Sequence, residues 1–320
     1  MIEKLKNRIG KRLKGLTLYV DVIDMCPLSC PTCPTGVQGR RPEIMMSPGT
    51  YKRILEKATS ECKIRKVQLY RFGEPLLHPD LHEFIEIGHK YGIKSSISTT
   101  LQVVYANMEK VIEARPSEFR ISYSGKEMHR YQRGSKLGRF LENLHKLDRL
   151  PRYSETRWVM FFHIYKDNFD EIAPAKELAK EYGYDFVPFP ATFMVYDHII
   201  EGYTEKDLKT LAMLTETPEE NITRLAKKPS PKDYCNMQEG EIILDAKGQM
   251  YLCQLMYKPK YIVGDFLTTP LKDLRKIIMK APMCLKCKEM GIGKYSLIFG
   301  DPSFVRDPVK KADKRKYQRY

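Results

Sequence analysis

The chain has 320 residues, and 55 Lys and Arg against 40 Asp and Glu give it a formal net charge of +15. Its eight cysteines are too few for a disulfide scaffold in a protein of this size, which can bury a large core of its own. No run approaches the roughly 18 consecutive apolar residues of a membrane span. The first residues also lack the apolar segment of a secretory signal. We therefore expect a cytoplasmic protein with reduced thiols.

Much of the positive charge lies near the two ends of the chain, in residues 4–14 and 306–320. Solvated charged ends are the simpler interpretation, and contact with RNA or phosphate is the alternative. Ile2, Leu5 and Ile9 recur at helical spacing. This pattern predicts a basic amphipathic helix over residues 1–15, and the other end is predicted to be a basic tail over 291–320.

Strand-like and helical patterns alternate through the first part of the chain. The strand-like runs cover 16–23, 66–72, 94–99, 118–124, 157–165 and 184–190. Helical patterns separate them at 50–58, 80–92, 104–114, 137–148 and 168–182. Such alternation is typical of βα units around a parallel sheet, and six units are fewer than the eight that close a full barrel. The sequence predicts an α/β protein with a partial (β/α)6 barrel over 16–190, open on one side for a substrate.

The pattern changes after Pro190. Residues 191–233 are helical with Thr, Pro and Lys interruptions, and we predict a helical bridge. Residues 234–290 are predicted to form a small domain of a β-hairpin and helices that carries four cysteines. The hairpin covers 241–253, where Gly248 offers a positive φ at the turn.

Three cysteines, Cys26, Cys30 and Cys33, lie on one short loop after the first strand. Their neighbours supply no fourth metal ligand, so three thiolates would leave one coordination position open. A zinc site completed by a distant residue is one interpretation, and an iron–sulfur cube with one free iron is the other. A loop that follows a barrel strand lies at the C-terminal face, where barrel enzymes place their chemistry.

These three cysteines fit the C-x3-C-x2-C motif of the radical S-adenosylmethionine (SAM) enzymes, and the chain resembles that family over roughly residues 16–290. The resemblance implies a 4Fe–4S cluster whose free iron binds the amino and carboxylate groups of SAM. It also implies reductive cleavage of SAM to a 5′-deoxyadenosyl radical, which abstracts a hydrogen atom from the substrate.

Two further stretches resemble cofactor-binding motifs of the family. Gly73 and Glu74 in "RFGEP" match its G-G-E-P motif, which implies that the Glu74 carboxylate accepts hydrogen bonds from the cofactor's ammonium group. Ser98 and Thr100 in "SISTT" match a strand ending in S-T-N that contacts ribose and methionine groups, with Thr100 in place of the asparagine.

The other resemblances are less complete. Ser122 in "ISYSG" matches the serine of an S-L-D-G stretch, and Arg133 matches an arginine that pairs with the cofactor's carboxylate in related maturases. Thr32 stands where the family usually has an aromatic residue against the adenine. We therefore predict that Phe162 or Ile164, on the fifth strand, packs against the adenine.

A second group of thiols lies in the C-terminal part: Cys235, Cys253, Cys284 and Cys287. Four thiolates saturate one metal site, and chemistry alone leaves zinc and a 4Fe–4S cluster open. The spacing resembles the twitch domain, the shortened SPASM module, which implies a second, auxiliary 4Fe–4S cluster. Cys62 is left over and is predicted to be a small buried hydrophobic residue.

The layout, including "FGEPLL" at 72–77, resembles the twitch-containing aminocyclitol dehydrogenases of the family. This implies oxidation of a small polar or sugar-like molecule, with the auxiliary cluster as electron acceptor. As partners we expect a small-molecule substrate that is anionic or sugar-like and an external electron donor such as flavodoxin or ferredoxin. We do not expect a membrane or nucleic acid as partner.

Two other functions remain as alternatives. One is a radical SAM maturase that epimerises or cross-links a ribosomally made peptide. Such enzymes often carry a leader-recognition domain, and only fifteen residues precede the first predicted strand here. The other is a zinc-stabilised RNA-binding protein, which would use the basic ends but leaves Glu74, Ser122 and Arg133 unexplained.

Overall fold

A computed structural model describes residues 15–39, 43–104, 106–226 and 235–296. The predicted basic helix over 1–15 and most of the predicted tail over 291–320 lie outside these residues. Nine strands of the described part form one sheet. They are β1 (Leu16–Val20), β2 (Ile64–Gln68), β3 (Lys94–Thr99), β4 (Glu118–Tyr123), β5 (Arg157–Ile164), β6 (Asp185–Pro190), β7 (Glu241–Leu244), β8 (Gln249–Tyr251) and β9 (Ile262–Asp265).

The first six strands confirm the predicted parallel sheet, in the order β6-β5-β4-β3-β2-β1. Their ends differ from the predicted ends by a few residues. β1, for example, ends at Val20, and Ile23 instead forms an isolated antiparallel bridge with Met45. The chain therefore leaves the sheet just before the cysteine loop.

The sheet continues beyond β1, which the sequence did not indicate. β7 pairs in parallel with β1, from Thr17 opposite Glu241 to Val20 opposite Leu244. β8 and β9 then extend the same sheet in antiparallel fashion. The predicted hairpin is present, and Gly248 has a φ of 80° at its turn. The hairpin is thus joined to the edge of the barrel sheet by a continuous ladder of hydrogen bonds.

The α-helices of the described residues lie between and after the strands. They are α1 (Pro34–Gln38), α2 (Pro48–Glu61), α3 (Leu81–Lys90), α4 (Met108–Glu113), α5 (Leu137–Asp148), α6 (Ile172–Glu181), α7 (Tyr196–Glu201), α8 (Glu205–Leu211), α9 (Pro218–Ala226), α10 (Asn236–Gly240), α11 (Leu271–Lys280) and α12 (Pro282–Glu289). None of them is long and apolar enough to cross a membrane.

Local sequence explains where the helices begin. The Ser47 hydroxyl accepts a hydrogen bond from the Thr50 amide at 3.1 Å, and Pro48 occupies the first turn of α2. Both features stabilise a helix N-terminus, because the first amides have no partner within the helix. At the start of α8, Thr204 and Asp207 form a capping box.

The two faces of the strands carry different residues, as the period of two requires. On the face toward the helices, aromatic side chains stack: Tyr123 of β4 lies 4.8 Å from Phe140 of α5, and Phe119 lies 5.0 Å from Trp158. The opposite, concave face of the barrel carries polar and partly exposed residues, among them Tyr19, Arg120 and His163. We call this the inner face.

Candidate active site

The cysteine loop closes tightly between β1 and α1. The Cys33 amide donates to the Cys30 carbonyl at 3.1 Å, and the amides of Gly36 and Val37 donate to the Cys33 carbonyl. A Cβ atom on Gly36 would lie 2.1 Å from the Cys30 carbonyl oxygen, so only glycine fits there. These contacts hold Cys30 and Cys33 at a fixed spacing at the C-terminal end of β1.

The thiols of this loop affect one another electrostatically. Burial raises the pKa of Cys30 well above its usual value, and the neighbouring Cys33 and Cys26 raise it further, while Arg133 opposes the shift. Burial also raises the pKa of Cys33, although hydrogen bonds to Thr35 lower it. Several thiolates so close together need bound cations to be stable. The donor set therefore fits an iron–sulfur cluster with three protein ligands.

The loop that carries Gly73 and Glu74 lies directly on the cysteine loop. The Glu74 amide donates to the Met25 carbonyl at 2.8 Å. A Cβ atom on Gly73 would lie 1.8 Å from the Ile23 carbonyl oxygen. The amides of Phe72 and Gly73 both donate to Oδ1 of Asp21, at 2.9 and 3.2 Å. Gly73 is thus required by the close approach of two backbone segments.

The Glu74 side chain is buried and held from two sides. Its Oε2 accepts hydrogen bonds from the amide and the hydroxyl of Thr100, both at 2.9 Å, and its Oε1 accepts from the Leu76 amide at 3.3 Å. Burial raises the pKa of Glu74, and these hydrogen bonds oppose the rise. The structure thus brings Glu74 and Thr100 together beside the residues that precede Cys26.

Arg133 also meets the cysteine loop, because its carbonyl accepts a hydrogen bond from the Ser29 amide at 2.9 Å. Its guanidinium lies close enough to Cys30 to lower the pKa of that thiol. Ser98 and Ser122, both partly buried, lie on β3 and β4, on the same strand faces as Arg120. The structure therefore places Arg133 at the loop and the two serines on the inner face.

The structure does not bring Phe162 and Ile164 to this loop. Both side chains are 0% exposed, and the Phe162 ring packs against Tyr123 and Phe186 in the core between sheet and helices. Since strand side chains alternate, the inner face of β5 carries Phe161 and His163 instead. Neither Phe162 nor Ile164 has surface available for adenine.

Two residues that the sequence analysis missed border the cysteine loop. Tyr165 follows β5, is 3% exposed, hydrogen-bonds Thr32 and is close enough to Cys30 and Cys33 for both to raise its pKa. Its ring stacks on Tyr131 at 4.2 Å. Asp21 directly follows β1 and contributes the carboxylate described above. An acidic residue at the end of a buried strand is a signal that could have identified Asp21.

The second group of thiols also converges. Cys235, Cys253, Cys284 and Cys287 line one pocket, together with apolar residues such as Leu252 and Met283. Burial and the neighbouring thiols raise the pKa of Cys253 well above its usual value, that of Cys284 to about 11 and that of Cys287 to about 12. The four thiols therefore line one pocket in which burial disfavours their charged forms.

Among the described residues, no three or more His, Cys, Asp or Glu side chains are grouped so that they could hold a metal ion. The convergence of each set of thiols is therefore seen in its loop contacts, shared pocket and mutual effects on pKa, and a cluster on either set is a prediction from the sequence motifs. Cys62 lies apart from both sets, at the end of α2, where it is partly buried against the core and donates to the Ala58 carbonyl.

Arg71 connects the two groups of thiols. It lies two residues before Gly73, and its guanidinium donates to the carbonyls of Cys253 at 3.2 Å, Gln254 at 2.9 Å and Met256. The guanidinium also lies 4.7 Å from the ring centroid of Tyr251. A single side chain thus links the Glu74 loop to the loop of the second group, a connection that β7 beside β1 makes possible.

Known structures share this architecture. The structure of Streptococcus suis SuiB bound to the precursor peptide SuiA is 14% identical to this chain, with a TM-score of 0.58 over 96% of this chain and 79% of that one. The structure of anSMEcpe with bound AdoMet is 15% identical, with a TM-score of 0.53 over 87% and 88% of the two chains. The chain shares the fold of these two proteins. The predicted partial barrel is thereby confirmed.

Sequence comparison gives shorter matches, and no model of a protein family matches the chain. PqqA peptide cyclase from Gluconobacter oxydans is 28% identical over 85 residues, which are 27% of this chain and 23% of the cyclase. The S-adenosyl-L-methionine-dependent 2-deoxy-scyllo-inosamine dehydrogenase from Niallia circulans is 28% identical over 98 residues, 31% of this chain and 37% of the dehydrogenase. The matches thus span 23% of the length of the cyclase and 37% of that of the dehydrogenase.

Proposed function

We propose that this chain is a radical SAM enzyme that oxidises a small polar molecule, sugar-like or anionic. The observation that carries the proposal is the contact between two loops. One loop carries Cys26, Cys30 and Cys33. The other carries Glu74, whose amide bonds to the cysteine loop and whose carboxylate accepts hydrogen bonds from Thr100. A carboxylate fixed beside three thiols is suited to bind the ammonium group of SAM next to a cluster.

When bound, a 4Fe–4S cluster on the three thiols would supply the electron that cleaves SAM to methionine and a 5′-deoxyadenosyl radical. The protein residues have distinct tasks around it. Glu74 binds the ammonium group, and Thr100 orients the Glu74 carboxylate. Arg133 offers a cation for the cofactor's carboxylate, and Ser98 and Ser122 offer hydroxyls on the inner face.

The four C-terminal thiols are proposed to hold the second 4Fe–4S cluster. Oxidation of a substrate radical requires an electron acceptor, and protein side chains do not provide one. The link through Arg71 keeps this site beside the Glu74 loop. We propose a cytoplasmic enzyme with an external flavodoxin or ferredoxin as the donor.

Metal content tests the proposed cofactors. Protein reconstituted anaerobically with iron and sulfide is expected to hold about eight irons per chain, and replacement of Cys26, Cys30 and Cys33 by Ala should leave about four. Cys62→Ala is the matched control and should retain about eight. Zinc in place of iron at both sites would overturn the proposal.

Cofactor binding tests the role of Glu74. Glu74→Gln keeps the shape of the side chain and removes its charge, so SAM affinity measured by calorimetry should fall on the order of tenfold or more. Unchanged SAM affinity of the Gln variant would remove Glu74 from the site.

Transfer of deuterium from a labelled candidate substrate into 5′-deoxyadenosine would identify the substrate and the abstracted hydrogen together.

A peptide substrate is the second candidate function, and the match to PqqA peptide cyclase favours it. The fate of the electron separates oxidation from peptide epimerisation, which is redox-neutral, whereas peptide cross-linking also needs an electron acceptor and is separated by which labelled substrate transfers deuterium to 5′-deoxyadenosine. Cys253→Ala together with Cys284→Ala should abolish an oxidised product while 5′-deoxyadenosine still forms under dithionite. If an oxidised product persists in the folded variant, the second site is not the electron acceptor.

A further inference from the structure

Arg120 on β4 projects into the concave space of the barrel. Its guanidinium lies 4.7 Å from the ring centroid of Phe161 on β5 and 5.9 Å from that of Tyr70, which follows β2. It also affects the pKa of Tyr19 on β1. Because β2 and β3 separate β1 from β4 in the sheet, these side chains must face one another across the inner face.

The inner face is accessible, unlike the face toward the helices. The Arg120 side chain is 26% exposed, and Tyr70, Phe161 and His163 are partly exposed as well. Phe162, which neighbours Phe161 in sequence, is 0% exposed in the core. The inner face therefore presents a positive charge and two aromatic rings that each keep part of their surface accessible.

The hydrogen bonding of Arg120 is incomplete. One terminal nitrogen donates to Oε1 of Glu118 at 2.7 Å, whereas Nε is buried and has no hydrogen-bond partner among the described residues. The Glu118 carboxylate also forms an ion pair with Arg157, at 3.4 Å. Arg157 in turn forms an ion pair with Asp185, at 2.7 Å. Because Nε has no accessible surface, a ligand's anionic oxygen would bind the exposed part of the guanidinium side chain, which is 26% accessible.

A neutral polar group lies on the same face. The His163 ring is 5.3 Å from the Phe161 ring, and burial together with Arg120 lowers the pKa of His163 to about 4. The imidazole is therefore uncharged near neutral pH and provides a hydrogen-bonding group without a second positive charge. This set of groups matches a ligand with one anionic end and a flat or apolar body.

We propose that the inner face is the substrate's anion subsite, where Arg120 binds a carboxylate and the rings of Tyr70 and Phe161 pack against the adjoining part of the molecule. That the substrate lies inside the barrel follows from the proposed function, and the anion subsite rests on it. It restricts the substrate to carboxylate-bearing small molecules. Binding through the guanidinium would position the rest of the substrate toward the C-terminal ends of the strands, where the cysteine loop lies.

The competing explanation is that Arg120 only pairs with Glu118 in an internal ion network. Arg157 separates the two explanations, because it contacts the same Glu118 carboxylate but has a side chain that is 55% exposed at the start of β5. If Arg120 served only that network, Arg120→Gln and Arg157→Gln would have the same effect on ligands. An anion subsite requires that only Arg120→Gln has an effect.

The experiment measures binding of benzoate and of the uncharged benzamide to the reconstituted full-length protein by calorimetry. We expect benzoate to bind on the order of tenfold more tightly than benzamide. Arg120→Gln should remove this preference, and Arg157→Gln should keep it. Glu118→Gln should strengthen benzoate binding, since the guanidinium then has no competing carboxylate. Circular dichroism and thermal unfolding establish that each variant is folded.

The proposal is overturned if the wild-type protein binds benzoate and benzamide equally, or if the preference survives in folded Arg120→Gln. Binding of inorganic phosphate without benzoate would overturn the carboxylate assignment. Cleavage of SAM under dithionite without substrate reports on the proposed function alone. A protein that cleaves SAM but shows no benzoate preference would therefore refute the anion subsite and leave the radical SAM function intact.

Discussion

Oε2 of Glu74 accepts two hydrogen bonds from Thr100, one from the backbone amide and one from the hydroxyl, each 2.9 Å long. Thr100 stands where the S-T-N motif of the radical SAM family has its asparagine. The threonine hydroxyl thus orients the Glu74 carboxylate instead of reaching the cofactor through an amide side chain. This relationship makes Thr100 a positioning residue for the proposed SAM site.

Thr100→Val removes the hydroxyl bond and keeps the amide bond and the side-chain shape. Loss of one charge-assisted hydrogen bond costs about 1.5 kcal/mol, so we expect SAM affinity to fall on the order of tenfold. Thr100→Ser keeps a hydroxyl and should restore most of the affinity. Titration calorimetry with SAM measures both variants, and equal affinities for Val and Ser would contradict the assigned role.

Gly73→Ala should prevent the close approach of the Glu74 loop to the cysteine loop. The added Cβ would lie 1.8 Å from the Ile23 carbonyl, a distance that only backbone movement can relieve. We expect a loss of roughly 3 kcal/mol or more in the free energy of unfolding, measured by denaturant titration. Gly138→Ala, on α5, has no atom within 4 Å of the new Cβ and should be neutral or stabilising.

Arg71→Met should loosen the second group of thiols. The substitution leaves the carbonyls of Cys253, Gln254 and Met256 without their guanidinium donor. After a chelator challenge, we expect the retained iron to fall from about eight to about four per chain, with SAM binding preserved. Arg152→Met is the control, since Arg152 stacks on Trp158 away from both groups of thiols. Equal iron retention in the two variants would contradict the role of Arg71.

Glu241 at the start of β7 predicts a dependence of stability on pH. Burial raises the pKa of its carboxyl from 4.5 to about 8, although Lys66 and Arg71 oppose the rise. The folded state therefore keeps the proton to higher pH than the unfolded state does. The free energy of unfolding should be highest below pH 4.5 as far as this group is concerned, and should fall as the pH rises to about 8.

Glu241→Gln tests this dependence, because the amide resembles the protonated carboxyl and does not titrate. At pH 7 the variant should be more stable than the wild type by on the order of 2–3 kcal/mol. The gain should disappear near pH 4. Glu113→Gln, at an exposed position on α4, is the matched control for the change of a carboxyl to an amide. A constant difference between Glu241→Gln and wild type at all pH values would contradict the raised pKa.

The sequence by itself determined the alternation of strands and helices, the three cysteines after the first strand and the Gly73-Glu74 turn. These features depend on local spacing, so they can be recognised without knowing which distant segments meet. The family resemblance also pointed to Arg133, whose backbone carbonyl meets the cysteine loop in the structure. Asp21 and Tyr165 were missed because their partners are distant in sequence: Asp21 accepts from the Gly73 amide, and Tyr165 meets Thr32.

The tertiary structure alone decided two further points. β7 could have paired within a separate small domain, and its buried sequence, Glu241–Leu244, instead completes the open edge of β1. This pairing places the second group of thiols within reach of Arg71. The structure also decided which side chains of β5 point to the inner face. Side chains along a strand alternate between the two faces, so Phe162 and Ile164 lie in the core while Phe161 and His163 lie on the inner face.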